Sequence, residues 1–393
     1  MHSTVHRFKI FSTGIACLIA VGCAAVPPPV TNTPAKEPSE LQTDISASCA
    51  AEADRQQCFE KAVVQIVETD GPESSMKVLA LLLEQDSNLE KKDYHDLVHR
   101  IGRQTAKTYG VTTDAFFRCP TDFNYGCQHG FFEQALVTEP DARTAALTIC
   151  NPKLMADKPG KYLFYCFHGV GHGIMMARAY RLLPSLELCD SFPEIPMQQG
   201  CWQGVFMENV NGVMGGTAQE HAFSDTDLLA PCDTLPEKYR WECYINHAGY
   251  LVPKTKSVEV ATNECLKEET EARNACLQSI GLMATNPGWQ QGLARGNGSL
   301  TEKAVDICLR FPKGFEQHCV IGAIDNLANF KQTNTAPLVE FCGLLPLPWQ
   351  SSCYHQIGHS VRHELTPGAP KSAACIGVPE AFLPTCLEAA EES

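Results

Sequence analysis

The sequence predicts an all-α fold: a solenoid of about ten helical hairpins, curved or closed on itself. Three observations predict it. Eighteen of the 20 cysteines fall into nine sequential pairs of short spacing. The second members of those pairs recur at steps of 33 to 43 residues, with one gap of twice that length. Apolar residues between the turn signals recur at helical intervals, as in Trp241, Tyr244, Ile245, Ala248 and Leu251, and no segment shows long strand-type alternation. A period of roughly 20–50 residues marks an array in which one supersecondary unit repeats.

The chain begins with an address. Residues 1–22 read as a signal peptide: Arg7 and Lys9 give the positive start, and Ile10 to Gly22 form an apolar run too short to span a bilayer comfortably. The run ends Ala20-Val21-Gly22-Cys23, which resembles a bacterial lipoprotein processing box with Cys23 as the lipidated residue. Ala20 departs from the Leu usual there, and plain secretion with cleavage near Ala24 is the alternative. Residues 23–45 follow as a Pro-rich tether, since polyproline segments hold an anchor away from a folded body. The expected location is the cell envelope, lipid-anchored on the periplasmic or outer side of a bacterial membrane, or alternatively secretion.

The repeat domain is expected over 46–393. Its disulfides are expected to join neighbours in sequence. Cys49 should pair with Cys58, Cys119 with Cys127, Cys150 with Cys166, and Cys189 with Cys201. Cys232 should pair with Cys243, Cys265 with Cys276, Cys308 with Cys319, Cys342 with Cys353, and Cys375 with Cys386, these last five all C-x10-C. One more repeat fits the long gap. Tyr94 to His99 matches Tyr354 to His359, which puts Asp93 and Leu82 where the two cysteines would stand. Both members of a pair are missing together, as paired disulfides require. Twenty cysteines also point to an oxidising compartment. Each pair should staple a first helix to a second across a turn. In the clearest repeat, Asp225 to Cys232 reads as the end of a first helix, Asp233 to Pro236 as the turn, and Glu237 to Val252 as the second helix. The period, the hairpin pattern and one disulfide per hairpin resemble the secreted, cysteine-rich tetratricopeptide-like repeat proteins of the Sel type. The resemblance is architectural; it implies a right-handed superhelix and often a binding role, and it transfers no catalytic residues.

Aligned on the second Cys, the hairpins place histidines in register. His95/His99, His168/His172 and His355/His359 stand two and six residues after the Cys position, and His129/Glu133 occupies the same two sites in the repeat between the first two. Residues i and i+4 share a helix face, and equivalent positions of adjacent repeats lie side by side. His95, His99, His129, Glu133, His168 and His172 are therefore expected to form one patch whose donors suit Zn, Cu, Ni or non-haem Fe. His355 and His359, extended by His363, would join it only if the superhelix closes; otherwise they would form a second site. Glu133 is the candidate carboxylate ligand or proton acceptor of a metalloenzyme. The competing expectation is a non-catalytic scaffold binding a peptide or an envelope protein, with the histidines in structural or peptide contacts.

Gly169, Gly171, Gly173 and Gly358 sit among these histidines, where either a ligand or another helix must come close. The segment from Trp202 to Asn211 reads as a packed helix followed by a polar turn. Gln203, Glu208, Asn209 and Asn211 are alternative hydrogen-bonding partners of a site. His247, His221 and His318 read as structural or solvated. The formal charge of −14 argues against nucleic-acid binding. No C-x-x-C, G-x-S-x-G, Walker A, dinucleotide or H-E-x-x-H motif occurs.

Overall fold

The chain is described by a computed structural model over residues 36–85, 94–218, 222–290, 293–295, 297–331 and 334–392. Ten hairpins account for nearly all of it. In chain order the helices are α1 (Pro38–Cys49), α2 (Arg55–Thr69), α3 (Gly71–Gln85), α4 (His95–Tyr109), α5 (Thr113–Phe117), α6 (Gly126–Thr138), α7 (Ala142–Ile149), α8 (Tyr162–Ala177), α9 (Leu182–Cys189) and α10 (Ile195–Met214). They continue with α11 (Glu237–Thr255), α12 (Val258–Cys265), α13 (Thr270–Ala284), α14 (Pro287–Gln290), α15 (Leu300–Cys308), α16 (Glu316–Lys331), α17 (Ala336–Leu344), α18 (Leu347–Val361) and α19 (Leu383–Glu391). No strand occurs among the described residues. No helix among them is long and apolar enough to cross a membrane. The proposed signal, Cys23 and the start of the tether lie outside the described residues. Helix α1 reaches back into the tether, covering its last residues from Pro38.

Local chemistry sets the hairpin ends. Four of the first helices start on side-chain caps: Thr112, Asp141 and Ser257 each accept from a backbone N–H three residues on, and Ser299 forms a capping box with Glu302. Several second helices carry Pro in their first turn, where no intrahelical N–H is lost.

All nine expected disulfides form. Cys49 is bonded to Cys58, Cys119 to Cys127, Cys150 to Cys166, Cys189 to Cys201 and Cys232 to Cys243. Cys265 is bonded to Cys276, Cys308 to Cys319, Cys342 to Cys353 and Cys375 to Cys386. The first member stands at or close to the end of the first arm, which for Cys232 and Cys375 is a 3-10 turn. The second member stands within the first two turns of the second helix, as Cys127 does in α6 and Cys166 in α8. This placement brings the Cα atoms to 5.3–6.0 Å, within the range a disulfide spans. In the repeat that lacks cysteines, Leu82 is buried in α3.

One expected helix is absent. Residues 225–231 are turns, and only Cys232–Thr234 coils, as a 3-10 turn. Ser224 Oγ accepts the backbone N–H groups of Thr226 and Asp227, and Asp227 Oδ1 accepts that of Leu229. These short polar side chains satisfy the backbone locally and so compete with a helix. Trp241, on the following α11, is exposed.

The second helices pack in series: α4 on α6, α6 on α8, α8 on α10, then α10 on α11, α11 on α13, α13 on α16, and α16 on α18. The series curls back on itself. Tyr165 on α8 donates its hydroxyl to Asn329 Oδ1 on α16 at 2.6 Å and to Glu364 at 3.5 Å. The Lys161 N–H reaches the His363 carbonyl at 3.4 Å, and its ammonium lies 3.6 Å from Glu364. Helices α6 and α8 lie deepest. Ten of the 13 residues of α6 and 12 of the 16 of α8 are buried, which their nearly all-round apolar sequences permit.

Candidate metal centre

The site is built by three consecutive second helices, α4, α6 and α8. Each carries a pair of polar residues one turn apart on the face its neighbour covers: His95/His99, His129/Glu133 and His168/His172. Glycines let these helices, and α10 beside them, meet backbone to backbone. A Cβ on Gly130 of α6 would overlap the His99 carbonyl of α4, and a Cβ on Gly204 of α10 would overlap the His168 carbonyl of α8. Gly171, Gly173 and Gly358 likewise face neighbouring helix backbone. Glycine here permits helix-on-helix approach.

Five imidazoles interleave as a result. The ring centroid of His129 lies 5.9 Å from His95, 5.5 Å from His99, 4.8 Å from His168 and 5.3 Å from His172. His99 and His172 are 5.4 Å apart. His99, His129, His168, His172 and Glu133 are all at most 5% exposed. Only His95 is partly open.

Four rings are oriented the same way. His95 Nδ1 donates to the Phe123 carbonyl at 3.2 Å, and His168 Nδ1 to Gln203 Oε1 at 3.0 Å. His172 Nδ1 donates to Glu208 Oε2 at 3.0 Å, and His99 Nδ1 to Glu133. Each such bond holds the proton on Nδ1 and leaves the Nε2 lone pair facing inward. Those lone pairs meet in twos. His95 and His99 Nε2 are 2.9 Å apart, and His168 and His172 Nε2 are 3.2 Å apart. Two nitrogens bound to one ion at about 2.1 Å stand roughly 3.0–3.4 Å from each other in octahedral or tetrahedral geometry. The spacing is that of a chelating pair. Lone pair against lone pair is unfavourable unless a cation or a proton lies between.

Both oxygens of Glu133 have partners. One oxygen accepts from His99 and the other from Arg103 of α4. Burial alone would raise its pKa, but His99 and Arg103 outweigh burial and hold the carboxyl well below the usual range. Burial opposes charge on His99, and the Glu133 carboxylate overcomes it, so this ring titrates above its ordinary value. Burial first, and the neighbouring rings second, push His129 and His168 well below theirs. Both are therefore neutral, lone-pair donors at neutral pH. His129 is also the exception among the five: neither ring nitrogen has a hydrogen-bond partner.

Donor atoms able to share an ion fall into triads, with all atoms of each within 4.8 Å: His95/His99/His129, His129/His168/His172 and His99/Glu133/His172. These groups could hold a metal. His355 and His359 do not join them. His355 Nε2 lies 3.5 Å from Glu392, and the His359 ring packs edge-on against His363 with centroids 5.6 Å apart. Their helix α18 packs beside α16 and α19, and at the matching positions α16 carries Ile321 and Asp325 rather than imidazoles.

The outer partners include residues that spacing leaves ambiguous. Gln203 and Glu208, on a helix and not in a polar turn, orient His168 and His172. Tyr180 holds Glu208 in turn, its hydroxyl donating to Oε1 at 2.8 Å. Phe123, Asn124 and Tyr125 have φ of 56°, 54° and 58°, and Ala179 and Tyr180 have φ of 50° and 61°. Such left-handed conformations cost roughly 1–2 kcal/mol per non-glycine residue, and both runs contain a partner of the site: the Phe123 carbonyl and the Tyr180 hydroxyl. Beside the open edge of His95 lies a cavity of about 120 Å³ lined by Asn124, Met207, Asn211, Asn246 and Asn326 among others. His247 is outside the site; its Nε2 donates to the Leu228 carbonyl at 2.6 Å. His318 is buried near the start of α16; His221 lies outside the described residues.

No protein-family model, no curated protein and no solved structure matches this chain.

Proposed function

We propose that the chain is a metal-binding protein of the cell envelope, with a transition-metal centre of Zn, Cu or Fe on His95, His99, His129, His168 and His172. One observation carries the reading: four imidazoles bound through Nδ1 turn their Nε2 lone pairs toward each other at chelating distance around a fifth. An all-nitrogen donor set suits Zn and Cu, and also Fe. The nine disulfides support an oxidising compartment. The lipid anchor at Cys23 belongs to the same proposal, and fatty-acid labelling that persists in Cys23→Ser would sink that part.

Glu133 serves in this reading chiefly as the group that orients His99, since one of its oxygens accepts from that ring and the other from Arg103. The small cavity beside His95 supports access of a small molecule to the ion, as a metalloenzyme needs. The peptide-scaffold reading draws nothing from these histidines, since four of the five are buried away from any peptide.

The test is elemental analysis of mature protein prepared without a His tag and reconstituted with Zn or Cu. Stoichiometric metal is expected, and His168→Ala with His172→Ala should lower it. Substoichiometric metal that these substitutions leave unchanged would remove the proposal.

A further inference from the structure

We infer that the centre is dinuclear, with the His129 imidazolate bridging two metal ions. The inference rests on the metal-binding reading above and adds what that reading leaves open, the number of ions and the role of the central ring.

Three observations lead to it. First, the chelating pairs are two. His95/His99 on α4 and His168/His172 on α8 each bring two Nε2 atoms together, at 2.9 and 3.2 Å. Second, His129 on α6 is the one residue shared by the two all-histidine triads. Its ring centroid lies 4.8 to 5.9 Å from those of all four rings of the two pairs. Third, its two nitrogens are both buried and both lack a hydrogen-bond partner, whereas Nδ1 of each of the other four rings has one. A neutral imidazole offers one N–H donor and one lone pair. A single ion on His129 would satisfy the lone pair and leave the N–H orphaned inside the protein. Two ions satisfy both nitrogens. In the second binding step the ring N–H bond breaks, the proton leaves to solvent, and its electron pair becomes the second metal–nitrogen bond. Each ion then has three imidazole nitrogens, the three protein ligands of an open metal site.

Charge supports the arrangement. Glu133 and Glu208 stand directly behind His99 and His172, one behind each pair. Together with the imidazolate they offset buried cations. The third triad, His99/Glu133/His172, is the competing place for one ion. There a metal would have to compete at Glu133 with the His99 N–H on one oxygen or the Arg103 guanidinium on the other. The two ions would also differ in access. The one on His95 and His99 borders the cavity, while the one on His168 and His172 is enclosed.

Copper is the probe, because a shared imidazolate couples two Cu(II) spins. Tag-free protein is loaded with Cu(II), desalted, and measured by elemental analysis and by low-temperature electron paramagnetic resonance. About two Cu per chain is expected, with most of the spin signal lost to coupling. His129→Ala keeps both chelating pairs and should restore the signal of uncoupled Cu(II). Two Cu per chain with full, independent spins in the wild-type protein would overturn the bridge. So would one Cu per chain, and if that single ion were lost in Glu133→Ala but kept in His129→Ala, it would sit in the third triad. Either result leaves the metal-binding reading standing, whereas protein that retains no Cu and no Zn defeats both. Since the wild-type spin count decides alone, an unfolded His129→Ala variant would not remove the test.

Discussion

A hydrogen bond on Nδ1 commits an imidazole to ligate through Nε2, and the partner in that bond sets how well it does so. The four partners here are unlike: a peptide carbonyl for His95, a carboxylate for His99, an amide for His168 and a carboxylate for His172. Glu208 is the most telling of them, because Tyr180 holds its second oxygen and so fixes the His172 ring through two steps. Glu208→Ala should weaken metal binding by roughly 10–100-fold. Glu208→Gln, which keeps an acceptor and drops the charge, should cost less. Competition against a chromogenic chelator checks both, and equal affinity in Glu208→Ala and the parent would contradict the assigned role. The H-x3-H pairs at 95/99 and 168/172 were legible in the sequence, since helical spacing and repeat register both marked them. Gln203 and Glu208 were legible only as polar residues of ambiguous purpose. Phe123 acts through its carbonyl and Tyr180 through a left-handed turn that no glycine announces, so neither left a trace in residue type or spacing. His355 and His359 carried the same signal but lie outside the clustered triads, because the preceding α16 offers Ile321 and Asp325 where the other pairs meet imidazoles, which a spacing rule does not weigh.

At the scale of the helix, the centre depends on how closely α4, α6, α8 and α10 approach. Side chains at two and six residues past the Cys reach across because the contact is made backbone to backbone at Gly130 between α6 and α4, at Gly173 between α8 and α6, and at Gly204 between α10 and α8. Gly130→Ala would push α6 off α4 by the width of a methyl group. Overpacking of this kind costs about 1–3 kcal/mol, more than the better helix propensity of Ala returns. Gly130→Ala is expected to lower the urea midpoint and the bound metal together. Val137→Ala, at an exposed position of the same helix, should move stability by at most about 0.5 kcal/mol and leave metal content as it was. Unchanged stability in Gly130→Ala would mean the helices have room that the geometry denies. The hairpins themselves were readable because nine of them carry a Cys pair at short spacing, with caps or Pro marking several of the helix starts. The first helix of the Cys232 repeat was not, because Ser224 and Asp227 satisfy the backbone without helix and nothing in their spacing ranks that option above the other.

At the scale of the molecule, the array closes through Lys161, Tyr165, Asn329 and Glu364. These residues are up to about 200 apart in sequence and share no periodic mark, which is why the sequence left an arc and a ring equally open. The fold also buries ionisable groups that do not belong to the metal centre, and two of them, both on α11, make opposite demands on pH. Burial drives the pKa of His247 down to about 4 and raises that of Glu242 to about 8. His247 titrates near 6.5 when unfolded, so the stability tied to its neutral form is complete above about pH 6.5 and is lost as pH falls toward about 4. Glu242 titrates near 4.5 when unfolded. Stability tied to its neutral form is complete below that value and is lost as pH rises through about 8. Between these limits the two effects oppose each other, and above about pH 6.5 only the Glu242 loss continues. In metal-free protein, Glu242→Gln should therefore stabilise the fold by a few kcal/mol at about pH 8 and change little at about pH 4.5, while His247→Asn should flatten the acid side of the profile instead. Urea unfolding at a series of pH values reads both slopes. A Glu242→Gln profile parallel to the wild-type one would show that this carboxyl is already charged in the folded protein, and that its place on α11 does not dehydrate it.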